Sequence, residues 1–347
     1  MAYSVIKKPS DYFDGKTYLG SASAVTVTGL NFQPDLVWVK DRDNGNNHCL
    51  VDAVRGTGKY ISSDLTSAET NNATNSISAF NSDGFTTGTA NPANEAASTT
   101  KGFMSWNWLA SNTTASNTDG SITSTVSANT TSGFSIVSYT GTGSVSTIGH
   151  GLGSTPACII IKNRTDITGW TVYHKILTGT SSLGLDTTNT TNTGIGVFNN
   201  TDPTSSVFTV GTANGTNGSG DSMIAYCFAE KQGFSKFGSW TGADGAFIYT
   251  GFKPAFILGK NATNSAGYDW WTFDNKRDSF NDGANNLLLR PNAADAEQTI
   301  TFAPIDFLSN GFKIYGTDNT VNGSGETMIY MAFAEEPLVG DNPATAR

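Results

Sequence analysis

Residues 151–162 read GLGSTPACIIIK: a Gly/Ser-rich turn and a proline lead into an apolar run that ends in lysine. Two similar phrases occur elsewhere in the chain, GLNFQPDLVWVK at 29–40 and GFKPAFILGK at 251–260. Short apolar runs that are rich in β-branched and aromatic residues and bounded by Gly and Pro are typical of β-strands. Recurrence of one phrase at long intervals indicates a repeated structural unit. The sequence therefore predicts that this strand is the first core strand of each of three repeats.

A second phrase closes each repeat. It reads KGFMSWNWLA at 101–110, DSMIAYCFAE at 221–230 and ETMIYMAFAE at 326–335. The proline of the opening phrase precedes the end of this run by 74 to 81 residues, and the three prolines are Pro34, Pro156 and Pro254. The closing runs are apolar at nearly every position, which predicts a strand covered on both of its faces.

These patterns predict an all-β protein of three tandem β-sandwich-like repeat domains. The predicted domains are 1–118, 119–240 and 241–347. The first boundary lies in a low-complexity Ser/Thr/Asn tract, 110–133, which is interpreted either as a linker or as an extended surface strand. Only NPANEAAS, 91–98, has the composition of a short helix.

The composition argues against several functional classes. The 347 residues carry a net charge of −9 with only 14% charged residues, and no cluster of Lys and Arg suited to phosphates is present. We therefore expect no nucleic-acid partner. The absence of an 18-residue apolar run and of an apolar signal segment predicts no membrane partner and no Sec-type export. Cys49, Cys158 and Cys227 occur singly, which argues against a disulfide framework or a zinc site and predicts buried thiols.

Motifs for catalysis, metals or cofactors are not found in the sequence. The three histidines, His48, His150 and His174, form no metal-binding pair. The segment DRDNGNN, 41–47, resembles a calcium loop, but its glycine is one place early and the glutamate of the twelfth position is missing. It is therefore interpreted as an acidic loop. These features predict a non-enzymatic protein with no catalytic residue, no cofactor and no metal.

One constellation of charged residues recurs. Asp52 and Arg55 follow the lysine of the first repeat, and Asp274 and Arg277 follow the lysine of the third. The second repeat has His174 and Leu177 at the corresponding places. The pattern has two interpretations: a shared ligand site, or an Asp–Arg pair that braces a turn and is lost in repeat two. The second is favoured, because structural ion pairs also cluster.

Aromatic side chains near this constellation are candidates for surface binding. They are Trp170, Tyr173, Trp270 and Trp271. Core packing is the default interpretation of such rings, and a sugar-binding face is the alternative. Adjacent residues of a strand point to opposite faces, so one of Trp270 and Trp271 is expected to fill the core and the other to face solvent and bind.

The chain resembles a family of virion structural proteins of tailed bacteriophages, common in marine and freshwater phages. The resemblance covers nearly the whole chain and rests on KPSDYF (8–13), FQPDLVWVKDRD (32–43), VDAVRG (51–56), GHGLGSTP (149–156), FSKFGSWTG (234–242), YTGFKPAFILGK (249–260), MAFAEEP (331–337) and PATAR (343–347). It carries no catalytic residues. It implies a particle component that is made in the host cytoplasm and assembled into the virion.

Three functions are compatible with this resemblance. The first is a short tail fibre or tail-associated adhesin that contacts the host surface. The second is a capsid decoration protein, and the third is a glycan depolymerase. Coiled-coil heptads and collagen-like triplets are absent, which argues against a long fibre. The expected partners are other virion proteins of the tail or capsid and a glycan or protein of the host surface, with the chain forming an oligomer on the particle.

Overall fold

The predicted all-β class is confirmed by a computed structural model, which describes residues 4–278, 281 and 286–345. Helical residues in this part of the chain form single turns. The predicted helix at 91–98 is wrong, because the segment forms turns. Its Asn94 amide donates to the carbonyl oxygens of Ser23 and Gly88, at 2.8 and 3.0 Å. These bonds tie the segment to neighbouring loops instead of to a helix of its own.

The first unit, residues 13–108, contains nine strands. They are β1 Phe13–Tyr18, β2 Thr26–Val27, β3 Leu36–Asp41, β4 Cys49–Asp52, β5 Lys59–Tyr60, β6 Thr70–Asn71, β7 Ile77–Asn81, β8 Gly84–Thr87 and β9 Phe103–Trp108. A four-stranded sheet has the order β1-β9-β3-β4, a three-stranded sheet has the order β2-β8-β7, and β5 pairs with β6. Two 3-10 turns accompany the unit, Pro9–Asp11 and Ala73–Asn75.

The second unit, residues 115–228, repeats this arrangement with two strands added to the main sheet and one strand fewer in the smaller sheet. Its strands are β10 Ala115–Asn117, β11 Ser124–Asn129, β12 Phe134–Thr140, β13 Ser146–Gly149, β14 Cys158–Asn163, β15 Thr171–His174, β16 Ser181–Ser182, β17 Asn192–Thr193, β18 Val207–Val210 and β19 Ser222–Phe228. The main sheet has the order β10-β11-β12-β19-β14-β15, and β13 pairs with β18 and β16 with β17. Helical turns α1 Ile195–Phe198 and α2 Asn214–Asn217 lie between strands.

The third unit, residues 235–337, returns to the pattern of the first. Its strands are β20 Ser235–Thr241, β21 Ala246–Tyr249, β22 Phe252–Asn261, β23 Trp271–Asp274, β24 Asn286–Leu288, β25 Gln298–Ile300, β26 Ile305–Leu308, β27 Gly311–Ile314 and β28 Thr327–Pro337, with one helical turn, α3 Asn319–Asn322. The sheets have the orders β20-β28-β22-β23 and β21-β27-β26, and β24 pairs with β25.

Four strands of each main sheet have the same order and the same register: β1-β9-β3-β4, β12-β19-β14-β15 and β20-β28-β22-β23. Leu36 pairs with Trp108, Cys158 with Phe228 and Phe256 with Phe333. Each of these strand residues stands two places after the proline of its repeat, so the three prolines occupy equivalent positions. In each unit the smaller sheet packs on one face of the main sheet, which gives every unit the two layers of a sandwich and a core of its own.

The opposite faces of the three main sheets meet in one common core. In β3 the side chains of Val37 and Val39 belong to the core of the first sandwich, whereas those of Leu36 and Trp38 belong to the common core. The alternation arises because successive side chains of a strand point to opposite faces. The same alternation in the other units brings Phe134, Tyr226, Phe228, Phe256, Met331 and Phe333 into this core. The three units therefore pack around a shared core and form one body. They are not independent domains joined only by linkers.

The closing strands are buried along most of their length, as their composition predicts. The three cysteines are free and buried, also as predicted. Both predicted boundaries need correction. Residues 115–117 belong to the main sheet of unit two, and β20, which pairs with β28, crosses the boundary at 240/241. The Ser/Thr/Asn tract thus contributes edge strands rather than a free linker.

Candidate functional site

The four aromatic side chains predicted to bind at the surface are buried. The exposed fraction is 0% for Trp271, 2% for Trp270, 2% for Trp170 and 3% for Tyr173. The prediction that one member of the tryptophan pair faces solvent is wrong. The two rings do point to opposite faces of the sheet, but both faces are covered: Trp270 lies in the common core and Trp271 in the core of the third sandwich.

Trp170 and Trp270 have a structural role at the junctions between units. Trp170 Nε1 donates to the carbonyl oxygen of Ser62 in unit one, and Trp270 Nε1 donates to that of Gly184 in unit two, both at 2.8 Å. His48 holds the corresponding position in unit one, and its Nε2 lies 2.9 Å from the carbonyl oxygen of Arg290 in unit three. Each unit is thus hydrogen-bonded to the one before it, and the three bonds close a ring.

The lysines that end the opening phrases close the same ring a second time. Lys40, Lys162 and Lys260 are fully buried. Each ammonium donates to a carbonyl oxygen of another unit, those of Ala294 at 2.9 Å, Thr66 at 3.0 Å and Thr188 at 2.8 Å, respectively. Each also donates within its own unit, to the carbonyl oxygens of Asn46, Thr168 and Tyr268, respectively.

The Lys40 ammonium explains the loop that resembles a calcium site. The ammonium occupies the centre of this loop, where a calcium ion would lie, and donates to the carbonyl oxygens of Asp41 and Asn46, both at 2.8 Å. A divalent ion in this cradle would be repelled by the ammonium. Among the described residues, no group of three or more His, Cys, Asp or Glu side chains is arranged to hold a metal.

Burial lowers the pKa of all three lysines to about 8. The unfolded chain keeps these protons up to a pH near the ordinary lysine pKa of ~10.4. Between pH 8 and that value the unfolded state binds more protons than the folded state, so the contribution of these lysines to stability rises with pH. Below pH 8 the folded state carries the full cost of burying the charges.

Lys162→Met is expected to lower the free energy of unfolding by about 2 kcal/mol at pH 7, because the carbonyl oxygens of Thr66 and Thr168 lose a buried, charged donor. Chemical denaturation at several pH values measures the difference between wild type and variant. We expect this difference to grow as the pH rises from 8 towards 10. The matched control is Lys7→Met at an exposed position, with an expected change below about 0.5 kcal/mol at pH 7. A difference that shrinks with pH would contradict the assignment.

The recurring Asp–Arg pairs are parts of buried ionic chains between units. Arg55 Nε donates to Asp52, Arg55 also reaches Glu69 at 3.1 Å, and Glu69 accepts from Arg164 of unit two at 2.9 Å. The hydroxyl of Tyr226 donates to Asp52 at 2.8 Å. The bracing interpretation is therefore the one the contacts support, and the brace extends across the junction.

The junction between units three and one has the same chain. Arg277 donates to Asp274 at 2.6 Å and to Glu297 at 3.2 Å, and Glu297 accepts from Arg42 of unit one at 2.8 Å. Burial works against ionisation of Glu297, but the guanidinium groups outweigh it and keep the pKa of this carboxyl below its usual value. The indole of Trp106 replaces the tyrosine and donates to Asp274 at 3.1 Å.

The junction between units two and three has no such chain. His174 and Leu177 occupy the Asp and Arg positions, and burial lowers the pKa of His174 to about 4, so the ring is neutral at pH 7. Its Nε2 lies 3.1 Å from the carbonyl oxygen of Tyr330. The other members are changed as well: Thr191, Ala262 and Met331 hold the places of the glutamate, the second arginine and the aromatic donor. None of the five places carries a charge at pH 7, which fits a purely structural role of the ionic chains at the other two junctions.

An exposed aromatic pair distinguishes the third unit. Phe247 and Tyr249 of β21 are 48% and 57% exposed and lie on the same face of the strand. Phe247 pairs with Lys313 in the neighbouring strand. At the same register the first two units have threonine pairs instead: Thr26 with Thr86 and Thr147 with Thr209. The fold therefore does not require aromatic side chains here.

Sequence reasoning missed Phe247 and Tyr249, although a signal was available. The segment AFIY, 246–249, looks like a strand that is buried on both faces. An alignment of the three repeats places a threonine, Thr26 or Thr147, at the position equivalent to Phe247 in each of the other two units. A bulky ring at a place where the fold accepts a small polar side chain is a candidate for binding.

A groove of about 350 Å³ lies beside Tyr249, where the chain passes from unit two to unit three. It is lined by Glu230, Gln232, Gly233, Ser235, Lys236, Tyr249, Thr250, Gly251 and Leu338. Gly251 has a φ of +84°, which an L-residue with a side chain rarely adopts. The chain bends at Gly251, two residues after Tyr249, whose exposed side chain lies on the rim of the groove. The volume is within the range of small-molecule sites.

The charges at the groove are held in a fixed cluster. Glu230 accepts from Lys175 at 2.6 Å and from Lys236 at 2.9 Å. Burial opposes ionisation of Glu230, but the two ammonium groups outweigh it and keep the pKa of its carboxyl below the usual value. Within this cluster two ammonium groups share one carboxylate. We define the groove with Phe247 and Tyr249 as the candidate site.

A comparison with protein-family models matches residues 8–337 to a family described as a domain of unknown function, DUF7483. The chain belongs to the DUF7483 family. No curated protein and no solved structure matches this DUF7483 protein. In its described part, no helix combines the length and apolar character that crossing a bilayer would require.

Proposed function

We propose that this DUF7483 protein is a non-enzymatic structural protein of a bacteriophage particle, a short tail fibre or tail-associated adhesin that contacts the host surface. The supporting observation is that, in the described part of the chain, the buried charged side chains of the junctions join one unit to another and line no cleft that could serve as a catalytic site. Lys40, Lys162 and Lys260 and the two ionic chains join three units into one body. The exposed surface of unit three then offers aromatic rings and a groove. This division suits a rigid scaffold that presents a binding surface.

The residues that carry the resemblance to phage virion proteins support the same proposal. Lys40 lies in FQPDLVWVKDRD, and Asp52 and Arg55 lie in VDAVRG. Lys40 and Asp52 contact other units directly, and Arg55 links Asp52 to Glu69 in the ionic chain that reaches unit two. The resemblance thus rests partly on residues that hold the body together, as expected for a structural protein.

A capsid decoration protein is the second candidate, and the internal symmetry favours it. Three units with the same sheet order around one core form a pseudo-threefold body. Such a body matches the symmetry of a threefold position on a capsid. No feature of the described residues favours the third candidate, a glycan depolymerase.

Labelling of purified virus particles with gold-conjugated antibodies against this chain tests the proposal. Gold at the tail tip or tail side is the expected result, and gold distributed over the head would favour decoration. In parallel, the purified protein should bind host cells and reduce adsorption of the virus by at least half. Particles that carry no label, although the infected cells contain the protein, would overturn the proposal.

A further inference from the structure

The groove beside Tyr249 joins an exposed aromatic ring to the cluster of Glu230 with two lysines. Tyr249 has no hydrogen bond from its hydroxyl within the described chain, and its side chain is more than half exposed. The amide of Gln232 is exposed on the same rim. A pyranose has apolar faces and an edge that carries hydroxyls. Its face can pack on the ring of Tyr249 while its hydroxyls accept from the amide of Gln232.

The lysines retain donors for a ligand. Each ammonium has three N–H donors, and Lys175 and Lys236 each spend one on Glu230. The side chains of Lys175 and Lys236 are 37% and 36% exposed. Because Glu230 balances only one of the two charges, an anionic group in the groove would meet a net attraction. Glu230 also holds both lysines in place without the help of the ligand.

The corresponding positions of the other units have neither feature. Where Glu230, Lys231 and Lys236 follow the closing strand of unit two, the chain after the closing strand of unit one reads ASNTT, 110–114, without lysine. At the end of β28, the closing strand of unit three, Glu335 takes the place of Glu230 and Glu336 that of Lys231, and among the described residues these two carboxylates have one lysine partner, Lys253, at 2.8 Å from Glu335. The ring and the lysine cluster therefore occur together at one place only among these three, although the fold repeats.

From this combination we propose that the groove binds an acidic saccharide: a pyranose whose ring stacks on Tyr249 and whose carboxylate is held by Lys236, the lysine of the cluster that lines the groove. This deepens the proposed function and rests on it, since acidic sugars occur in bacterial surface polysaccharides. Phe247 extends the aromatic surface by one step of the strand, so a second sugar can follow the first.

Titration of the whole protein with glucuronate and with glucose, followed by NMR chemical shifts, tests the proposal. The two sugars differ only at the carboxylate. We expect glucuronate to bind at least fivefold more tightly than glucose. Tyr249→Ala should weaken glucuronate binding at least tenfold and Lys236→Met at least fivefold. Tyr249→Phe, which keeps the ring, should bind within twofold of wild type. The matched control is Thr147→Ala, at the strand position of Phe247 in unit two, with no change expected.

Glutarate, a dicarboxylate without a sugar ring, separates recognition from simple ionic attraction. If glutarate binds as tightly as glucuronate and Tyr249→Ala has no effect, the groove attracts anions without recognising sugars and the proposal is wrong. Equal binding of glucose and glucuronate would also overturn it. The outcome is separate from the particle labelling: a labelled particle without glucuronate binding rejects this inference alone. Glucuronate binding by a chain absent from particles rejects the proposed function alone.

Discussion

Trp108→Ala is expected to lower the free energy of unfolding by about 3–5 kcal/mol, the usual cost of truncating a core aromatic side chain. The indole is 1% exposed and lies in the common core. Its ring centroid lies 4.9 Å from that of Phe13 in its own unit, 6.2 Å from that of Phe228 in unit two and 5.7 Å from that of Phe333 in unit three. The loss therefore falls on all three units at once.

Amide hydrogen exchange, read strand by strand, measures how that loss is distributed. Because the core is shared, β9, β19 and β28 should lose protection together and by similar amounts. The control is Trp240→Ala, whose half-buried ring contacts Trp271, Phe312 and Tyr330 of the third sandwich only. Its effect should be largest in unit three. Loss of protection confined to unit one in Trp108→Ala would mean that the units unfold independently.

The strands and their repetition could be predicted from the sequence because that information is local. A proline followed by an apolar run specifies a strand start wherever it occurs, and Pro34, Pro156 and Pro254 do stand at equivalent positions. The burial of both faces of the closing strands also follows from composition. What covers the second face is not local information. Leu36 and Trp38 would look the same whether they faced a third layer or two neighbouring units.

The candidate site was harder to predict for the same reason. Adjacency correctly placed Trp270 and Trp271 on opposite faces, but exposure depends on what packs there, and the neighbouring unit covers Trp270. The domain boundary at 240 failed because β20 directly follows the closing strand of unit two in sequence, whereas its hydrogen-bonding partner, β28, is nearly a hundred residues away. The groove is built from the same connection.

Arg55→Leu is expected to cost about 3–5 kcal/mol of unfolding free energy. The guanidinium donates to Asp52, to Glu69 and to the carbonyl oxygen of Leu50, and it is buried. Removing it leaves the Asp52 carboxylate buried without a cation, and an unpaired buried charge is much more costly than the pair itself is worth. Thermal or urea unfolding, analysed at pH 7, measures the change. The matched comparison is Leu177→Ala, which removes only apolar contacts at the equivalent position.

The junction between units two and three indicates how that cost can be recovered. It is built with a neutral histidine, a leucine, a threonine, an alanine and a methionine at the five places of the ionic chain. The corresponding variant of the junction between units one and two combines Asp52→His, Arg55→Leu, Glu69→Thr, Arg164→Ala and Tyr226→Met. A buried ionic network can be replaced by apolar residues at little cost when all its members change together. We therefore expect the free energy of unfolding of the quintuple variant to lie within about 2 kcal/mol of the wild-type value.

The sign of the coupling is what makes this prediction informative. If the five positions acted independently, their individual losses would add, and the combined variant would be far less stable than Arg55→Leu alone. Contacting members of one network instead show large non-additive terms. A quintuple variant that is more stable than Arg55→Leu would establish that the ionic chain is a structural brace that uncharged residues can replace. A quintuple variant that is less stable than Arg55→Leu would show that this junction needs its charges. The three junctions would then be equivalent in structure but not in the free energy that each contributes.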